Sequence, residues 1–407
     1  MKKHKIITPT FYSRFKCSGP DCIDNCCKHW NITIDKKTYK KYQNSQHEKI
    51  RTFAKNNIIM LSKGSSMYSR VRLDKTGTCP MLNEEKLCSI HASMGANALS
   101  FTCKVFPRIQ KRYHNETHNN LTLACPEVVN QVLFQPDSML VEEEIILVND
   151  SITQINRQKR LPDRNQPVQF VNLICRYLVM AESNTIEDNI FALAHFIIYL
   201  QKNHFQVENN YEDLESFFHK LRHELINGDF TQFRGTLKGT PSIKVGILTI
   251  FGKAINNTVR SKRYLVQNHQ RIADFLFSAH DGNKTELKNK FNALHERWID
   301  IMKSSCVAEE HVFKNYMLYH LYNSDFPGND FSQILRKFYL LIADFFYLKT
   351  SLSVMSFSQD ITRQDVMHLF SSHHAMRNHN RLVDKELNNY INHINMQDDL
   401  SCLLLIS

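Results

Sequence analysis

Apolar and polar positions along most of this chain follow the 3.6-residue period of helices rather than the two-residue period of strands. The clearest stretch is Thr185–His204, where Ile190, Leu193, Ile197 and Leu200 fall on one helical face. Tyr211–Leu225, Arg260–Phe277, Thr285–Ile301, Glu309–Ser324, Phe331–Lys349 and Arg363–Phe370 repeat the pattern. Their short connections predict an antiparallel helical array without a fixed-period repeat. Tyr316, Tyr319 and Tyr322 lie on one such helix and read as core aromatics. Strand-like runs are few: Ile32–Ile34 and Met139–Val148, the latter carrying the acidic run Glu142–Glu144, read as a solvated face. The polar stretch Asn149–Pro167 reads as a linker. Ser371–Asn380, with His373, His374 and His379, reads as a polar connection between helices. The expected fold is mainly α. A cysteine-rich metal-binding domain with little β covers residues 1–135, a strand-like segment and linker cover 136–167, and a helical domain covers 168–407.

Composition adds limits. With 42% apolar and 22% charged residues, the chain is not generally disordered, and 11 Gly with 10 Pro among 407 residues disfavour a many-turned β-protein. No apolar run approaches the roughly 20 residues that span a bilayer. The best candidates, Phe191–Leu200 and Phe338–Leu348, are interrupted by His195 and Asp344. The basic segment Met1–Phe15 has no apolar stretch behind it, so a cytoplasmic protein without a membrane partner is expected. Residues 1–125 hold 22 Lys/Arg against 8 Asp/Glu, a net of +14 within a total of +11. The remainder therefore carries −3. This basic excess coincides with the cysteines, where it can stabilise thiolates or attract an acidic partner. No nucleic-acid motif accompanies it, so nucleic acid is not an expected partner.

Eight of the 11 cysteines fall between residues 17 and 125: Cys17, Cys22, Cys26, Cys27, Cys79, Cys88, Cys103 and Cys125. Cys175, Cys306 and Cys402 stand alone among apolar neighbours and read as small core residues. Disulfides need an oxidising compartment, which the missing secretory signal argues against, and adjacent Cys26 and Cys27 fit such a framework poorly. Eight thiolates could make two four-coordinate zinc sites, yet no C-x2-C knuckle occurs. Neither common ferredoxin spacing is present either. Spacing thus predicts a metal site and leaves zinc and iron open. Ser18-Gly19-Pro20-Asp21 folds the first cysteine loop, and the chain from Ser93 to Val105 looks helical, carrying Cys103 towards Pro107. Cys125 precedes Pro126 and a further short helix. His29 and His91 read as surface residues or neighbours of the site, with metal ligation as the alternative.

These segments resemble the flagellin lysine N-methylases of the FliB type. The resemblance rests on Phe15-x-Cys17-x4-Cys22-x-Asp24-x-Cys26-Cys27-x2-Trp30-x-Ile32-x2-Asp35 and on Cys79-Pro80-x-Leu82-x5-Cys88-x-Ile90-His91. It continues through Gly95-x3-Leu99-Ser100-x-Thr102-Cys103-x2-Phe106-Pro107-Arg108, Cys125-Pro126 and the later Phe313-Lys314-Asn315-Tyr316-x4-Leu321-Tyr322-x3-Phe326-Pro327. The cysteine portion alone is shared with a broader group of zinc- or iron-chelating proteins. His29 departs from the small residue usual at its position in the family. The resemblance implies a cytoplasmic transferase that methylates lysine ε-amines of flagellin, with S-adenosylmethionine as donor and a 4Fe-4S cluster. Cys22, Cys26, Cys27 and Cys103 are the first choice for its ligands. The other reading is a non-catalytic zinc- or iron-binding protein with a helical interaction domain. No Gly-x-Gly occurs, so the phosphate-cradling loop of a doubly wound methyltransferase is missing and the donor must be held differently. Sequence supplies no catalytic base.

Overall fold

The computed structural model describes residues 2–28, 30–62, 67–148, 161–237, 240–257, 263–278, 284–395 and 401–407. Most of them are helical, as the periodicity predicts. The amino-terminal part holds more sheet than expected. β1 (Lys2–Pro9) lies between β6 (Glu116–Leu121) and β7 (Val141–Val148), with β5 (Arg108–Arg112) outside, giving the order β5-β6-β1-β7. Ile6 stands opposite Thr117 of β6 in a parallel pairing and opposite Glu144 of β7 in an antiparallel one. Lys5 Nζ meets Glu143 Oε2 across strands at 2.9 Å, so the acidic run is partly paired. A second sheet, order β2-β4-β3, joins β2 (Thr33–Ile34), β4 (Ser69–Val71) and β3 (Ile58–Met60). Two helices accompany it: α2 (Lys36–Gln43), capped by the Asp35 carboxylate at 2.9 Å from Thr38 N, and α3 (Glu48–Asn56).

Hydrophobic packing falls into two cores. The smaller gathers Ile32, Tyr42, Phe53, Val71, Met81 and Ile90 around Cys79. The larger takes in Phe11, Leu121, Leu123 and the apolar face of α6 (Pro126–Phe134) together with the helical array. Packing therefore separates the stretch from Cys27 to Cys103 and merges the flanking sheet and α6 with the helices.

The array begins with α7 (Gln166–Met180), started by Asn165 and Pro167 within the expected linker, whose residues 149–160 lie outside those described. It continues with α8 (Ile186–Lys202), α9 (Tyr211–Asn227), α10 (Asp229–Thr236), α11 (Pro241–Asn257), α12 (Arg263–Phe277) and α13 (Lys284–Ser304). α14 (His311–Asn323), α15 (Ile334–Met355), α16 (Arg363–His379) and α17 (Arg381–Asn395) complete it. α15 is long and apolar enough to cross a membrane by composition, but 94% of that window is buried in the fold, as befits a central core helix. The stretch Ser371–Asn380 is not a connection. α16 runs through it to His379, started by a reciprocal Thr362–Asp365 capping box, and Ser371, Ser372, His373 and His374 are buried. Polar residues there line an internal cavity, which is why their pattern mimics a loop.

Candidate metal centre

The first cysteine loop turns through Gly19, whose φ of 56° suits a residue without Cβ, into a short 3-10 turn. Ser18 Oγ donates to Glu127 Oε2 at 2.8 Å, fastening this loop to α6. Its far end is fastened to the second cysteine segment: Asn25 Nδ2 donates to Lys86 O at 2.8 Å, and Cys79 N donates to Cys27 O at 2.8 Å. Trp30 Nε1 donates to Cys26 O, and its ring packs 5.2 Å from that of Phe106. Beyond Cys79 the helix expected over Ser93–Val105 is divided. Gly95, at φ 73°, breaks it into α4 (Ser89–Met94), a 3-10 turn and α5 (Phe101–Val105). Cys88 stands at the start of α4, and Cys103 lies in α5, its N–H donating to Ser100 Oγ at 3.3 Å. Cys125 occupies the cap position of α6 before Pro126, and the N–H groups of Glu127 and Val128 face its sulfur.

These fastenings sort the eight cysteines. Cys17, Cys22, Cys26 and Cys125 line one cavity of about 200 Å³, walled by Phe15, Trp30, Phe106 and Arg108. Cys27, Cys79, Cys88 and Cys103 belong to the smaller hydrophobic core behind it. Cys26 also feels Cys27, Cys79 and Cys103 electrostatically, so the adjacent pair Cys26–Cys27 links the sets. The first-choice quartet of the sequence reading is thereby divided, Cys22 and Cys26 in the cavity, Cys27 and Cys103 in the core. His91 is exposed on α4, and His29 lies outside the described residues. Cys175 is fully buried and Cys306 half-buried, each away from the clustered eight, while the Cys402 side chain lies outside the described residues.

Left to themselves Cys22, Cys27, Cys79, Cys103 and Cys125 stay protonated. Burial pushes Cys79 up to about 11. Burial also raises Cys103 and Cys125 to about 12, although N–H groups of α6 partly offset it at Cys125. The hydrogen bond with Cys26, and then burial, raise Cys27 further. A soft cation would reverse that order, because metal binding deprotonates thiols outright. Among the described residues, no three Cys, His, Asp or Glu side chains are gathered closely enough to hold a metal ion. The donor chemistry nevertheless fits a thiolate-bound metal: each set offers four soft sulfurs, the number that both zinc and iron–sulfur centres take. The cavity wall also includes Ala375 of α16, about 250 residues beyond Cys125. No local signal could have placed it there. Trp30 and Phe106, by contrast, stand beside cysteines in the motifs.

The family described as the FliB lysine N-methylase C-terminal domain matches residues 172–405, more than half of the chain. A Lysine-N-methylase of Salmonella typhimurium (strain LT2) is 29% identical over 411 residues, covering 100% of both chains. One from Salmonella choleraesuis is equally similar, at 29% over the same span. The flagellar biosynthetic protein FliU of Salmonella muenchen is 46% identical over 145 residues, 35% of this chain and 86% of that one. No solved structure matches. With its carboxy-terminal helices matched by the family's own domain and its full length matched by two relatives, the chain belongs to the FliB lysine N-methylase family.

Proposed function

We propose that this protein transfers a methyl group from S-adenosylmethionine to lysine ε-amines of flagellin in the cytoplasm, and that its cysteines hold an iron–sulfur cluster. The observation that carries the reading is full-length similarity to two lysine-N-methylases, cysteine segments and helical array together. In the transfer the S–CH3 bond breaks as the N–CH3 bond forms, so the amine must arrive without the proton it holds at its free pKa of about 10.4. Cys17, Cys22, Cys26 and Cys125, or Cys27, Cys79, Cys88 and Cys103, would be the thiolates that hold a cluster. When bound, it would offer an anchor for the donor's amino and carboxylate groups in place of a glycine-rich loop. The chain's own residues do the rest. Phe15, Trp30 and Phe106 give the cavity an apolar wall that limits water, and Arg108 adds positive charge beside the thiolates.

Anaerobically purified protein should contain iron and sulfide and show a brown visible spectrum. Incubation with flagellin and S-adenosylmethionine should yield methyl-lysine by mass spectrometry. Zinc alone, or full activity after cluster removal, would overturn the role given to the cluster. Absence of methyl-lysine with the cluster intact would overturn the transferase reading in favour of a binding protein.

A further inference from the structure

Behind the cysteine cavity, across a wall formed by Leu123–Pro126 and one turn of α16, lies a second cavity of about 180 Å³. The wall is fixed from both sides. Tyr319 Oη donates to Leu121 O at 2.8 Å, and Asn378 Nδ2 donates to Thr122 Oγ1 at 3.3 Å. The lining is polar: Tyr316 and His320 from α14, Asp344 from α15, and His373, His374 and Arg377 from α16. Asp344 Oδ1 lies 2.8 Å from both His373 Nε2 and Arg377 Nε, and Arg377 reaches Asp384 Oδ1 at 2.6 Å. Asp384 is 47% exposed and forms the charged rim. His320 Nε2 and His373 Nδ1 are buried without a hydrogen-bond partner.

Three facts select the ligand. Burial holds His320 down at about 4 and His374 well below the ordinary imidazole range, so these two imidazoles are neutral. The carboxylates of Asp344 and Asp384 flank the single guanidinium of Arg377, and the exposed Asp384 at the rim favours an entering cation over a carboxylate or phosphate. Unpaired buried nitrogens are costly, and an N–H donor relieves that cost where an apolar ligand does not. A cavity of roughly 150 Å³ accommodates benzene, so this one suits a short chain rather than a nucleoside.

We propose that this cavity receives a primary ammonium group on an unbranched alkyl chain, entering past Asp384 to meet the unpaired imidazole nitrogens. The proposal rests on the methylase reading only for naming a lysine side chain as the source of that amine. The amine enters as its cation, the form that the Asp344 and Asp384 carboxylates favour. Held there, the amine lies one wall away from the cysteine cavity, a docking position distinct from the point of methyl transfer.

The test uses the full chain, metal-loaded as purified, titrated with n-butylamine, butyrate and 1-butanol and followed by ligand-observed NMR. Saturable binding of n-butylamine alone is expected, weakened at least tenfold by Asp384→Asn. A lysine-containing flagellin peptide should compete, and the same peptide with acetylated lysine should not. Tighter binding of butyrate, or no saturable binding of n-butylamine to the unaltered protein, overturns the proposal; so does n-butylamine binding that Asp384→Asn leaves unchanged. Amine binding in a protein that transfers no methyl group counts against the methylase reading and leaves this one standing.

Discussion

Lys349 is a charge buried at the centre of the helical array, and its surroundings show what that burial requires. Its Nζ lies 2.7 Å from Glu187 Oε1, with the two side chains 9% and 3% exposed, and 5.4 Å from the Trp298 ring. Burial pushes the Glu187 carboxyl up, yet Lys349 and Arg234 overcome it and hold the group below its ordinary range. Removing one partner strands the other, so Lys349→Met should cost about 3–5 kcal/mol in urea denaturation. The double variant with Glu187→Gln should recover part of that loss. A Lys349→Met protein as stable as the parent would show that the pair is not the buried unit described. At this scale the sequence is uneven in what it reveals. The eight cysteines are legible because thiols crowd two short segments. Their division is not, because neighbours such as Cys26 and Cys27 face different surroundings. His373 and His374 are hidden for a related reason. A polar cavity inside a helical core puts histidines where the pattern leads one to expect leucines.

Elements show the same contrast. α8, α9, α13 and α14 are readable from apolar periodicity and end close to where the pattern ends. α11 is less readable because Gly246 and Gly252 interrupt it. In the fold the ring and hydroxyl of Tyr390, from α17, occupy the space a Cβ at Gly246 would need. The Tyr390 hydroxyl donates to Ser242 O at 3.2 Å, so the ring is anchored there. Alanine is intrinsically better in a helix by about 1 kcal/mol, but overpacking costs about 1–3 kcal/mol. Gly246→Ala should therefore lower the thermal midpoint, while Gly246→Ala combined with Tyr390→Ala should cost less than the sum of the two single substitutions, because the ring that clashes is gone. A stabilising single substitution would show that α11 and α17 do not pack this closely. β1 escapes notice for another reason: Lys2, Lys3 and Lys5 blur its alternation, and its parallel partner begins at Glu116 with no turn to announce it.

Over the whole molecule, β1 is the tie between parts. It supplies partners to β6 on one edge and β7 on the other, and Phe11 just beyond it enters the larger core. Removing Lys2–Pro9 would leave two strands with open edges and is expected to abolish cooperative thermal unfolding by circular dichroism. An unchanged melting curve would contradict that role. The same placement also orders events in time. Seven of the eight clustered cysteines lie between β1 and β6, and Cys125 follows immediately. A ribosome adding about 5–20 residues per second needs roughly 5–20 s to pass from the first strand to its parallel partner. Throughout that interval the sheet cannot close and the thiols emerge on an open nascent chain, so delivery of a metal during synthesis meets no folded barrier.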